Sequence, residues 1–181
     1  MLYRLLLPLA LSLALALPAT AQDYLPAYER DPHFNIGSGT ELVLVYFGGS
    51  TCGPCQADEF KAALDRAKVL LAERAEQEGK AFAAIGVAVD QSVEDGLAFL
   101  NASGRFDELA VGRNWFNSAS LAHLWRPEGL AKRRVGLPSV VVFEREMSMG
   151  KNITASEPRY LVELGGGVAI PEWVEAGAPL E

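Results

Sequence analysis

Leu42-Val43-Leu44-Val45-Tyr46-Phe47 runs through Gly48-Gly49-Ser50 into Thr51-Cys52-Gly53-Pro54-Cys55, and a helix-patterned segment follows at once. The apolar run is unbroken and rich in β-favouring residues, as a strand buried on both faces requires. Cys52 and Cys55 are the only cysteines in the chain, so whatever thiol chemistry it performs is concentrated here. Two thiols with two residues between them can close a small disulfide ring when the second begins a helical turn, and such a pair can cycle between dithiol and disulfide. Two other readings compete. A structural zinc site needs four ligands, and the remaining candidates, His33 and His123, lack the paired spacing of such sites. A purely stabilising bridge would close too short a loop to gain more than about 2 kcal/mol.

The chain has 181 residues, 50% of them hydrophobic, which suits one domain with a sizeable core. The N-terminus stands apart from it. Arg4 precedes a leucine- and alanine-rich run from Leu5 to Leu17, and Pro18-Ala19-Thr20-Ala21 then has the small residues of a cleavage site. The run is shorter than the roughly 17–25 residues of a membrane span. Residues 1–21 therefore read as a secretory signal peptide cleaved near Ala21, leaving no stable membrane insertion. Export to an oxidising compartment, periplasmic or extracellular, makes a single close cysteine pair look catalytic, because structural disulfides there usually come in several. Losing Arg4 with the leader takes 16 basic and 23 acidic residues to 15 and 23, a net charge of −8, which argues against nucleic acid as a partner.

Residues 22–40 hold Pro26, Pro32, Gly37 and Gly39 without periodicity and read as irregular, with at most a short helix or strand; the domain proper is expected over 41–181. After the cysteines, Phe60, Ala63, Leu64, Ala67, Leu70 and Leu71 recur at helical spacing, predicting one amphipathic helix from about Pro54 to Glu78. Ala81–Val89 is a second apolar run ending in Asp90, and Ser92 opens a helix reaching about Asn101. Strand, helix, strand, helix implies parallel pairing with covered faces. Phe106–Gly112 is a candidate short strand and Ser118–Trp125 a helix. Ser139–Phe143 is a strand, Lys151–Arg159 a polar loop, Tyr160–Leu164 a last strand and Val168–Ala176 a terminal helix.

This order, with Cys52-Gly53-Pro54-Cys55 after the first strand and Gly136-Leu137-Pro138-Ser139 entering a later one, resembles the thioredoxin-fold thiol–disulfide oxidoreductases, in particular their exported relatives. The resemblance covers roughly Glu41 to Ala176. It implies an α/β fold with a central mixed sheet flanked by helices, and a cis peptide bond before Pro138 beside the disulfide, cis bonds being nearly confined to X-Pro. Cys52 and Pro138 stand 86 positions apart, which implies an inserted element at about 101–133. Two positions depart from the minimal thioredoxins: Thr51 replaces a tryptophan, and Tyr46 replaces a buried aspartate thought to move the proton of the second cysteine. Asp58, three positions after Cys55, matches an acidic position of the exported relatives, and on a continuous helix it would share a face with Cys55; Glu59 is the next candidate.

Cys52 at a helix N-terminus favours a thiolate and is the expected nucleophile, and Cys55, one turn inside, the resolving thiol. Pro54 suits a first helical turn and Gly53 leaves room for a partner backbone. Thr51, Gly53, Pro54, Leu137 and Pro138 form the expected substrate groove, with Leu137 offering its backbone to an extended partner. The expected activity needs no cofactor or metal. It acts on protein disulfides or dithiols, as a reductant re-reduced by a membrane-bound electron donor. The alternatives are an oxidant that introduces disulfides and a dithiol carrier of a soft ion such as Cu(I), for which no methionine cluster speaks.

Overall fold

A computed structural model describes residues 23–30, 37–128 and 136–180; the leader, and part of the expected insertion, lie outside them. After α1 (Ala27–Arg30), strand β1 (Gly39–Gly48) runs through the centre of the sheet. Every residue from Glu41 to Gly48 is buried. Side chains alternate along a strand, so Leu42, Leu44 and Tyr46 enter one core layer while Val43, Val45 and Phe47 enter the other. This is why the sequence shows a solid apolar run there.

The cysteines then lie on a four-residue helix, α2 (Gly53–Gln56), and the long helix α3 (Asp58–Gln77) starts afresh. The expected single helix is thus broken at Ala57, whose ψ of 132° is extended. Five residues on a continuous helix would turn Cys55 and Phe60 about 140° apart. With the break, both face the core, at 0% and 3% exposure.

Strand β2 (Ala81–Ala88) pairs parallel to β1, and α4 (Val93–Ala102) leads to β3 (Glu108–Ala110), parallel to β2. The Ser92 hydroxyl caps α4 by accepting the Asp95 N–H at 3.0 Å. Two successive crossovers that step the same way across a sheet must both be right-handed, so α3 and α4 cover the same face. The chain then returns past β1 on the opposite face, through a 3-10 turn (Asn114–Phe116) and a π-helical turn (Ser120–Leu124), where an α-helix over Ser118–Trp125 was expected. Asn117 fixes this return: its side-chain amide donates to Ala88 O at 3.1 Å and its Oδ1 accepts the Ser120 N–H at 2.8 Å.

Strand β4 (Ser139–Met149) pairs antiparallel to β1. Its outer edge carries β6 (Arg159–Gly165) along one half and β5 (Ile153–Ala155) along the other. β5 lies in what reads as a polar loop; all three of its residues are exposed, so no apolar pattern marks it. Helix α5 (Ala169–Glu175) packs beside α3 through Ile170, Trp173 and Val174. The sheet is mixed, in the order β3-β2-β1-β4 with β5 and β6 outermost. No helix among the described residues is long and apolar enough to cross a membrane.

Candidate functional site

The site forms where β1 leaves the sheet. A Cβ at Gly48 would stand 2.4 Å from the Tyr46 hydroxyl oxygen and 2.6 Å from Phe99 Cζ, so only glycine lets the strand pass under these rings. The Cys52 N–H then donates to Gly49 O at 3.0 Å, closing a turn that ends at the first cysteine. Cys52 and Cys55 are joined in a disulfide with S–S 2.02 Å and Cα–Cα 5.3 Å. Cys52 caps α2, its Sγ and carbonyl both accepting the Cys55 N–H, at 3.2 and 3.1 Å. Because α2 has only four residues, what it presents at Cys52 is this local N–H and not the dipole of a long helix. The two sulfurs differ in access: Cys52 is 9% exposed and Cys55 fully buried.

Three further segments meet this turn. The Leu137–Pro138 bond is cis. Leu137 Cδ1 comes within 3.6 Å of where a Gly49 Cβ would sit, which brings the proline loop beside the disulfide turn. Pro138 O accepts the Gly166 N–H at 2.7 Å, and Ser139 Oγ donates to Gly136 O at 2.5 Å. The loop between β6 and α5 reaches the helix itself, where Gly167 presses on Pro54. From the β2 side, the Asp90 carboxylate accepts the Ser50 N–H at 3.0 Å and the Ser50 hydroxyl. Gln56 Nε2 donates to Ser50 O at 2.9 Å.

Among the expected groove residues, Thr51, Gly53 and Pro54 are exposed, Leu137 is half-buried and Pro138 is buried. Asp58 stands away from this cluster. Its side chain is 99% exposed and meets Lys61 at 3.9 Å, and the break at Ala57 removes the helical face it would share with Cys55. Glu59 is exposed too. Tyr46 is fully buried among Phe60, Phe99 and Phe106, stacked on the last at 6.1 Å. Burial pushes its phenol pKa up, with the Ser103 hydroxyl opposing, so it stays protonated.

His123 packs face to face on Phe143 at 4.8 Å, and its Nδ1 lies 3.1 Å from the Tyr160 hydroxyl. Burial, then Arg145 and Arg126, lower its pKa to about 4. No group of three or more His, Cys, Asp or Glu suited to a metal ion occurs among the described residues. Sequence reasoning missed Ser50, Gln56, Asp90 and Gly167 as parts of the site. Only Asp90 carried a signal, a lone carboxylate ending a buried parallel strand beside the first.

No protein-family model matches the chain, and no curated protein does. Among the solved structures similar to it are two of thiol:disulfide interchange proteins. One is provisionally described as thiol:disulfide interchange protein DsbE from Chlorobium tepidum: 16% identity, 77% of this chain and 81% of that one covered, TM-score 0.40. The other is a thiol:disulfide interchange protein from Bacteroides sp.: 16% identity, 76% of this chain and 72% of that one, TM-score 0.42. Independently of them, the molecule itself has parallel β1 and β2, antiparallel β4 and β6, a disulfide turn at the end of β1 and a cis-proline loop beside it. This chain has a thioredoxin-like α/β fold.

Proposed function

We propose that the chain is an exported thiol–disulfide oxidoreductase that reduces disulfides of protein substrates. The observation that supports the reading is the asymmetry of a disulfide at the end of β1: Cys52 keeps a small exposed fraction, 9%, and Cys55 none. In the dithiol form, the Cys52 thiolate attacks one sulfur of the substrate disulfide and expels the other as a thiolate that takes up a proton. The mixed disulfide breaks when Cys55, deprotonated, attacks Cys52 Sγ. The products are a substrate dithiol and the Cys52–Cys55 disulfide, the state seen here. A second two-electron exchange, from a dithiol donor held at the membrane, restores the enzyme. The exposed edge formed by Thr51, Gly53 and Pro54, with Leu137 and Pro138 behind it, receives the substrate as an extended segment.

Replacing Cys55 by Ser removes the resolving thiol, and mixed disulfides through Cys52 should accumulate with natural substrates in the exported compartment. Failure to recover any covalent adduct counts against Cys52 as nucleophile. Equilibration with glutathione sets the direction: a potential near about −270 mV marks a reductant, and one near about −120 mV an oxidant that introduces disulfides. A pair that cannot be cycled returns the Cu(I) carrier to consideration.

A further inference from the structure

The disulfide turn is closed a second time, outside the sulfurs. Gln56, the residue after Cys55, donates from Nε2 to the carbonyl of Ser50, two residues before Cys52, at 2.9 Å. One hydrogen bond therefore encloses both cysteines and the two residues between them. The Ser50 end of this bond is anchored to the sheet: its N–H and its hydroxyl both donate to the Asp90 carboxylate, just beyond the end of β2. The Gln56 end closes α2, and the extended Ala57 that follows cuts α2 off from the hydrogen-bond ladder of α3. None of these contacts uses a sulfur atom, so none requires the S–S bond to be present.

We infer that Gln56 is a positioning residue of the disulfide turn. Its hydrogen bond to Ser50 keeps Cys55 within reach of Cys52 once the S–S bond is open, and so speeds ring closure and favours the disulfide. The disulfide and the hydrogen bond are two constraints on one loop. Each holds the ends of the turn where the other can form, and such coupling is reciprocal: whatever the disulfide adds to the hydrogen bond, the hydrogen bond adds to the disulfide. The effect is bounded by the net worth of the hydrogen bond itself, and because Gln56 is exposed to competing water, about threefold is expected. The amide touches no reacting atom and acts through the backbone of Ser50. This inference rests on the oxidoreductase reading and concerns its second step, the attack of Cys55 that frees the substrate.

The test is the reaction of the purified dithiol chain with oxidised glutathione. The Cys52 thiolate first displaces one glutathione and holds the other as a mixed disulfide. The Cys55 thiolate then attacks Cys52 Sγ, forms the Cys52–Cys55 bond and expels the second glutathione as a thiolate that takes up a proton. Gln56→Met keeps the length of the side chain, removes the donor and, at an exposed position, takes no packing from the core. It should slow the second step about threefold, and lower the overall equilibrium constant about threefold, about 14 mV in potential.

Alkylation of Cys52 in the dithiol chain by iodoacetamide, followed across pH, supplies a readout that the approach of the two sulfurs does not enter. Its midpoint and plateau should match those of the parent. A resolving rate or an equilibrium constant within about 1.5-fold of the parent overturns the inference, because the hydrogen bond then contributes less than its own net worth allows. A displaced alkylation profile overturns it too, by placing the effect on the Cys52 thiolate instead of on ring closure. If the parent itself cannot be cycled by glutathione, the oxidoreductase reading falls and this inference falls with it.

Discussion

Gly167 and Pro54 are in contact so close that a methyl group has no place between them: a Cβ on residue 167 would lie 2.8 Å from Pro54 Cβ. The loop after β6 thereby sets how far the helix carrying the cysteines can lean outward. Gly167→Ala must push Pro54 or its own loop aside. The expected cost is about 1–3 kcal/mol in urea unfolding, together with a slower reduction of peptide disulfides. Gly136→Ala, in the loop before the cis bond and with nothing among the described residues within 4 Å, should stay within about 0.5 kcal/mol of the parent. Equal behaviour of the two variants would contradict the contact.

The Tyr46 hydroxyl is buried beside Ser103 with no well-formed hydrogen bond among the described residues. Leaving a buried hydroxyl unpaired costs about 1–3 kcal/mol. Tyr46→Phe should therefore raise the stability, by about 1 kcal/mol, and leave turnover unchanged. A fall in turnover without a fall in stability would show the phenol taking part in proton transfer.

His123 gives the fold a pH dependence. Its pKa is about 4 in the folded chain against about 6.5 when unfolded, so between these values the unfolded state binds the extra proton. Stability is lost as pH falls from about 6.5 toward 4 and levels off below. Because the ring is partly reached by solvent, the contribution is on the order of 1–2 kcal/mol. Thermal unfolding of the parent and His123→Gln at pH 7 and pH 4.5 isolates it: the variant should lose less on acidification.

Lys68 is fully buried on α3. Its ammonium donates to Arg105 O at 2.8 Å, pairs with Asp65 at 2.5 Å and lies 4.4 Å from the centre of the Phe106 ring. Burial lowers its pKa, with Asp65 opposing. Lys68→Met preserves length and removes the donor, leaving the Arg105 carbonyl unpaired. Denaturant titration should show a loss of about 1–3 kcal/mol with the disulfide chemistry intact.

The strands were legible where burial on both faces forces an apolar run, as at Leu42–Phe47 and Ala81–Val89. The cysteine site was legible because its chemistry is local, two thiols and a turn. Whatever depends on neighbours distant in sequence was not. The break at Ala57 answers to the directions in which Cys55 and Phe60 must point, and periodicity alone ran straight across it. Asp90 meets Ser50 across 40 positions, and Gly167 reaches Pro54 across 113; neither pairing leaves a mark on the residues between. β5 was unreadable for the opposite reason: an exposed edge strand three residues long has no buried face to imprint a pattern.

The Asp107 carboxylate ties the first described segment down at a telling place. It accepts from the Tyr24 hydroxyl at 2.5 Å, the Ala27 N–H at 2.8 Å and the Ala84 N–H at 2.8 Å, while the Tyr24 ring packs edge-on against Phe82 near the start of β2. The chain therefore enters the domain beside the far half of α3, a helix about 30 Å long that begins at the disulfide turn. β1 and β2 begin at this end of the sheet and finish at the other, where Gly48 pairs with Ala88 and the disulfide turn follows, so the docked segment and the sulfurs occupy opposite ends of the same two strands.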